Sequence, residues 1–147
     1  MRQPKPDIVL LDTHIWIWLI NGDKKLSSPN FLRLIDRLSA NSGIRVSIIS
    51  VWEVGMLEHK GRIDLPYSCL EWVHRALHAP GISLVPLTPE IAIESCQLGK
   101  EFGGDPADRI LVATAKSIGA TLVTEDEHIL NHSKKNLLDA ASAHSFR

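Results

Sequence analysis

Ile8-Val9-Leu10-Leu11-Asp12-Thr13-His14 is the stretch that decides the fold. Four consecutive apolar residues without polar alternation read as a strand buried on both faces, the kind found inside parallel sheets. The run stops at Asp12, and His14–Asn21 reads as a short helix ended by Gly22. A buried strand feeding directly into a helix is the repeating unit of an α/β sheet.

The same alternation continues downstream. Ser28-Pro29 opens a second helix, with proline pre-set for the first helical position and Phe31, Leu32, Ile35 and Leu38 at helical spacing. Arg45–Ile49 reads as a second strand. Ser50-Val51-Trp52-Glu53 then has the spacing of a capping box, which predicts a helix to about Lys60. Pro66–Ala79 reads as a helix, Ile82–Leu87 as a third strand, and Thr88-Pro89 as the start of a helix to about Gly99. Gly103-Gly104 breaks the chain. Asp105-Pro106 opens a helix to Ser117 with Gly119 behind it, Thr121–Thr124 reads as a fourth strand, and Glu125–Leu130 as a short helix. The expected fold class is α/β, a central parallel sheet of four to five strands flanked by helices. Residues 1–147 are expected to form a single domain, with 1–6 as an N-terminal extension and 134–147 as a tail holding at most one more short strand.

Composition narrows the function. The chain has 147 residues, 44% apolar and 22% charged, ordinary values for one globular domain. Sixteen Lys+Arg against seventeen Asp+Glu give a net charge of −1, which argues against a strongly basic nucleic-acid coat. Cys69 and Cys96 fit no metal spacing and read as small apolar residues in helices, consistent with a reducing, cytoplasmic setting. The Ile8–Ile20 run is too short to span a bilayer and is broken by Asp12 and His14, so no membrane partner is expected.

The acids carry the chemistry. Ligands of a parallel α/β sheet bind beyond the carboxyl ends of the strands. Asp12, Glu53 and Asp126 stand at strand-to-helix transitions and so belong at that edge, while Asp105 and Asp108 follow a helix-to-helix break. Singly, each has a plain explanation: Asp12 and Asp105 as N-caps, Glu53 as the capping-box partner of Ser50, Asp108 and Asp126 as macrodipole partners. If Asp12, Glu53, Asp108 and Asp126 converge, they repel, by roughly 4 kcal/mol for two charges about 4 Å apart at an effective dielectric near 20. The one adjacent cation is Arg109, which should point elsewhere on a helix. A cation or protons must therefore enter the pocket. Carboxylate ligation without Cys or His favours Mg²⁺ or Mn²⁺, ions suited to phosphodiester hydrolysis.

Four segments in order then resemble a known family: Leu10-Leu11-Asp12-Thr13-His14, Ser50-Val51-Trp52-Glu53, Gly104-Asp105-Pro106-Ala107-Asp108-Arg109-Ile110-Leu111-Val112-Ala113-Thr114-Ala115 and Leu122-Val123-Thr124-Glu125-Asp126. From about Asp7 to Leu130 the chain resembles VapC-type PIN-domain ribonuclease toxins of type II toxin–antitoxin systems. The resemblance implies an RNA endonuclease using Mg²⁺ or Mn²⁺, with Asp12, Glu53, Asp108 and Asp126 as catalytic acids and Asp12, Asp108 and Asp126 as metal ligands. It gives Thr13, Thr124 and Asp105 supporting roles, and it implies homodimerisation and a cognate antitoxin protein. Two alternatives compete. A non-catalytic binding module would use all the acids as caps. An acid-pocket phosphotransfer protein would need a partner acid beside the nucleophilic Asp or a lysine beyond a late strand, but Asp12-Thr13-His14 has no second Asp and Thr124-Glu125-Asp126 has no lysine.

Other features have modest readings. His74/His78 and His128/His132 have zinc-compatible spacing but lack a third ligand pattern, so solvated or capping roles are expected. His14 is expected to pack or cap. Trp16 and Trp18 cannot share a helix face, so at least one should leave the main core, where an exposed Trp near the first helix could anchor a partner. Core packing is expected for Trp52 and Trp72. Lys60, Arg62, Lys116, Lys134 and Lys135 are expected to be mostly ordinary solvated surface.

Overall fold

The computed structural model describes residues 6–134 and 138–146. Lys135 and most of the N-terminal extension lie outside the described residues. Five parallel strands form one sheet in the order β3-β2-β1-β4-β5: β1 (Val9–Leu11), β2 (Ile44–Ser47), β3 (Ile82–Val85), β4 (Thr121–Val123) and β5 (Ala140–Ala141). The helices are α1 (Thr13–Asn21), α2 (Pro29–Ser39), α3 (Ile48–His59), α4 (Cys69–Leu77), α5 (Pro89–Cys96), α6 (Pro106–Ile118) and α7 (Glu127–Ser133). Short 3-10 turns at Lys24–Leu26 and Lys100–Phe102 have no signature in the apolar pattern.

The apolar run becomes the central strand, and every residue of β1 is buried. Its odd-numbered side chains, Val9 and Leu11, join Trp16, Phe31, Val54 and Trp72 in a core under α1, α2, α3 and α4. Leu10 faces the other way and packs with Leu111, Leu122 and Ile129 under α6 and α7. Val85 and Ile91 extend that second layer beneath α5. Both faces of the sheet are therefore covered, which explains why β1 has no polar alternation.

Helix boundaries follow cap chemistry. Ser28, Thr88 and Asp105 precede prolines and accept hydrogen bonds from Phe31, Ile91 and Ala107 backbone N–H groups. Gly22 and Gly119 close α1 and α6 in the left-handed conformation at φ 63° and 67°, which costs glycine nothing sterically. One cap differs from the sequence expectation. β2 ends at Ser47, whose hydroxyl accepts from Ile49 N, so α3 starts earlier than expected and Ser50 lies inside it. The Ser50/Glu53 capping box therefore does not form. The tail does hold the short strand β5, bound where Leu122 N donates to Asp139 O and Thr124 N to Ala141 O. Glu125 secures it by accepting from Ser142 Oγ and Ala143 N. Among the described residues, no helix is long and apolar enough to cross a membrane.

Candidate active site

The strand order reverses between β1 and β4, each being neighbour to the other while their onward connections run to opposite sides. In an open parallel sheet a crevice forms at that point, beyond the strand carboxyl ends. Leu11 pairs with Val123 in register, so Asp12 and Thr124 emerge side by side. The ladder continues into the crevice as Asp12 N donates to Val123 O at 3.0 Å.

Thr124 joins the two strand ends. Its buried hydroxyl donates to Asp12 Oδ2 at 2.6 Å and accepts from Asp126 N at 3.0 Å. Asp12 Oδ1 accepts from Thr13 N at 2.7 Å, capping α1. Asp126 Oδ1 accepts from Ile129 N at 3.1 Å, capping α7. Asp105 caps α6 through Ala107 N at 3.0 Å. Capping and site membership thus coincide at three acids.

Glu53 and Asp108 cap nothing. Glu53 Oε1 accepts from Thr13 Oγ1 at 2.6 Å, a contact between α3 and α1. Thr13 Oγ1 also lies 2.9 Å from Ser50 Oγ, and Ser50 is fully buried. A hydroxyl has one proton. With Thr13 donating to Glu53, Ser50 donates to Thr13, giving a Ser50–Thr13–Glu53 chain. Ser50 is the residue sequence reasoning missed as part of the site, because its spacing from Glu53 mimics a cap. Asp108 projects from the first turn of α6 without a hydrogen bond to its carboxylate among the described residues.

The electrostatics record how closely these groups gather. Burial pushes the Asp12 carboxyl up, against the hydrogen bonds from Thr124 and Thr13 and the attraction of His14; Asp126 adds repulsion. Glu53 is raised by burial, with further repulsion from Asp12 and Asp105, and is opposed by the Thr13 hydrogen bond. Asp108 is raised to about 7, first by burial and then by repulsion from Asp105, Asp12, Asp126 and Glu53. All five acids therefore interact. The ion pairs among the described residues, Lys25–Asp23 and Arg75–Glu71, involve none of them. Arg109 turns its guanidinium to backbone carbonyls. Lys116 lies eight residues beyond Asp108 on α6, about 12 Å along the axis.

A donor set of carboxylates alone, with no salt bridge to it among the described residues, suits a hard divalent ion. Among the described residues, no group of three or more His, Cys, Asp or Glu side chains stands close enough to hold an ion as placed. Three of the carboxylates are turned back onto their own helix starts, so ligation requires side-chain rotation toward Asp108.

The remaining residues are placed differently from one another. His78 Nδ1 lies 2.6 Å from His74 O at the end of α4. The His128 and His132 rings flank Phe102. His14 is exposed and tilts against Trp18 at 5.9 Å. Trp16 and Trp72 are buried and meet edge to face, whereas Trp18 is half-buried at the core margin under the Lys25 ammonium. Trp52 departs from the core expectation, being 58% exposed. It sits on α3 one residue from Glu53, on a different face from Ser50 and Val54, which point inward. Cys69 packs against the core, but Cys96 is exposed at the end of α5.

Comparison with known proteins agrees with this architecture. The PIN domain family profile matches residues 9–135. Ribonuclease VapC22 of Mycobacterium tuberculosis is 32% identical over 124 residues, spanning 84% of this chain and 91% of that protein. The VapBC2 structure from Rickettsia felis, bound to a DNA fragment from its promoter, superposes with a TM-score of 0.67 at 16% identity, covering 92% of this chain and 98% of that one. DNA-bound VapBC from Salmonella typhimurium gives 0.65 at 19% identity, again covering 92% and 98%. At such identities the two structures speak for the fold. The profile and the curated relative span most of the sequence, and with them the chain belongs to the PIN domain family and is of the VapC type.

Proposed function

We propose that this protein is a metal-dependent endoribonuclease, the toxin component of a type II toxin–antitoxin pair. In this reading it hydrolyses RNA phosphodiesters at Asp12, Glu53, Asp108 and Asp126, with Mg²⁺ or Mn²⁺ as cofactor. The observation that carries the reading is the gathering of five acids from four segments of the chain, with Thr124 bonded to both Asp12 and Asp126, Thr13 bonded to Glu53, and Asp108 raised by burial and by its acidic neighbours. The name of the curated relative, a ribonuclease, supports the reaction class.

Asp12, Asp108 and Asp126 would hold the ion, and the ion would supply charge stabilisation at the phosphoryl group and a readily deprotonated water. Thr124 keeps Asp12 and Asp126 together by serving both with one hydroxyl. Thr13 orients Glu53 and Ser50 orients Thr13, so one Glu53 oxygen is held against the start of α1. Asp108, raised to about 7 by burial and repulsion, can take or release a proton near neutral pH, and burial and repulsion raise Glu53 in the same direction. Asp105 supports the site by fixing the start of α6.

A homodimer and inhibition by a cognate antitoxin, in the cytoplasm, complete the proposal. The solved neighbours that are VapBC complexes support the antitoxin. Sedimentation of the purified chain alone and with the product of the adjacent reading frame tests both.

One observation favours the rival reading of a binding module: Asp12, Asp105 and Asp126 do cap helices. Asn caps as well as Asp, so Asp12→Asn and Asp126→Asn discriminate. Loss of RNA cleavage with the fold retained supports the nuclease. Undiminished cleavage, or a thermal melt indifferent to millimolar Mn²⁺, overturns it.

A further inference from the structure

Arg109 follows Asp108 on α6, yet its guanidinium reaches into the connection between α5 and α6. Nε donates to Gly103 O at 2.6 Å. One terminal nitrogen donates to Ser95 O at 3.1 Å and Leu98 O at 3.3 Å, and the other lies 3.5 Å from Gly99 O. These carbonyls belong to the last turn of α5 and to both flanks of the Lys100–Phe102 turn. A permanent cation with a planar fork suits them, because charge-assisted bonds are stronger than neutral ones and positive charge is favoured at a helix C-terminus.

The same segment is gripped from α7. His128, two residues after Asp126, sets Nε2 against Phe102 O. A carbonyl only accepts, so this nitrogen carries the proton. The Phe102 side chain is 2% exposed, with its ring 5.1 Å from that of His128, 4.8 Å from that of His132 and 5.9 Å from the Arg109 guanidinium.

We propose that Arg109 and His128 are positioning residues of the active site, clamping the 98–103 segment as a spacer between the acid-bearing starts of α6 and α7. The inference rests on the nuclease reading for its consequence, though not for its geometry. Asp126 is tied to Asp12 through Thr124, but the Asp108 carboxylate has no such tie among the described residues, while burial and repulsion from Asp105, Asp12, Asp126 and Glu53 act on it. The clamp fixes the segment that leads into α6 against that repulsion. It holds Asp105 and Asp108 at a set distance from Asp126 without placing a positive charge among the ligands.

The test compares wild type, Arg109→Ala, Arg109→Lys, His128→Ala and the Arg109→Ala/His128→Ala double variant. Mn²⁺ binding is measured calorimetrically without RNA, and amide exchange across 98–108 is measured without metal. Arg109→Ala is expected to weaken Mn²⁺ binding at least tenfold and His128→Ala at least threefold. Arg109→Lys should stay close to Arg109→Ala, since one ammonium cannot serve the same carbonyls. Both variants act through one segment, so the double variant should lose less than the product of the single losses. Amides 98–108 should exchange faster in each. Mn²⁺ binding within twofold of wild type in both single variants, or multiplicative losses, overturns the clamp. If Arg109→Ala fails to fold, exposed His128 carries the decision alone by the same criteria. If wild type binds no Mn²⁺, the nuclease reading falls, and the exchange data still judge the clamp: unchanged exchange in metal-free His128→Ala rejects it.

Discussion

Replacing Asp108 with Asn should make the metal-free protein more stable while abolishing RNA cleavage. The Asp108 carboxyl has its ordinary value of 3.8 when unfolded and is raised to about 7 in the fold, by burial first and then by four neighbouring acids. Between those values the folded state keeps a proton that the unfolded state has released. Stability therefore falls as pH rises from about 4 to about 7, with no penalty below that window and the full penalty above it. A shift of about three units has a ceiling of about 4 kcal/mol. Asp108 is only partly buried, and solvent screening reduces the figure to about 1–2 kcal/mol. Asn also forgoes roughly 0.3–1 kcal/mol of macrodipole attraction. The net expectation at pH 8 is a gain of about 1 kcal/mol, or about 2–4 °C in Tm, shrinking to zero or slightly negative near pH 4.5. Urea unfolding in chelator at both pH values, with unchanged m, reads it. A saturating divalent ion should reverse the order, since binding at 100 times Kd adds about 2.7 kcal/mol to wild type alone. An Asp108→Asn protein less stable than wild type at pH 8, or equally stabilised at both pH values, refutes the repulsion argument.

Other expectations follow from single contacts. Asp12→Asn should leave urea stability within about 1 kcal/mol of wild type, because the cap survives, yet reduce cleavage below detection in a gel assay. Thr124→Val removes a buried hydroxyl serving two acids and should cost about 1–3 kcal/mol in chemical denaturation, with weaker Mn²⁺ binding by calorimetry. Ser47→Ala should lower stability by about 0.5–2 kcal/mol through the lost cap of α3 without changing the cleavage rate per folded molecule. Ser50→Ala should lower that rate by releasing Thr13, and equal rates for the two variants would remove Ser50 from the site. Leu10→Ala, fully buried at the sheet centre, should cost about 2–5 kcal/mol by thermal melt.

Local physics made much of this protein legible in one dimension. The short run before Asp12, apolar without alternation, reads as a strand covered on both sides, since a half-exposed strand would alternate. Ser28-Pro29, Thr88-Pro89 and Asp105-Pro106 marked helix starts because caps and first-turn prolines act within a few residues. Asp12, Glu53 and Asp126 could be set at the ligand-binding edge because each strand-to-helix transition lies there by construction, whereas Asp105 and Asp108 follow a helix-to-helix break and needed the tertiary structure to place them. Tertiary structure decided what depends on distance. Strand pairing brought Asp12 and Thr124 into contact across 112 residues, and no local pattern encodes which strand neighbours β1. β2 pairs with β3 as far as Ser47 and Val85, Ser47 rather than Ser50 caps α3, and Glu53 accepts from Thr13 on another helix. Trp52 points to solvent because α3 turns Ser50 and Val54 inward instead, a choice hydrophobicity alone does not make. Arg109 found carbonyls sequence cannot locate, because they belong to a loop whose path is set by packing Phe102 beneath α6 and α7. Propensity and capping act over a few residues; side-chain convergence is a property of the assembled sheet.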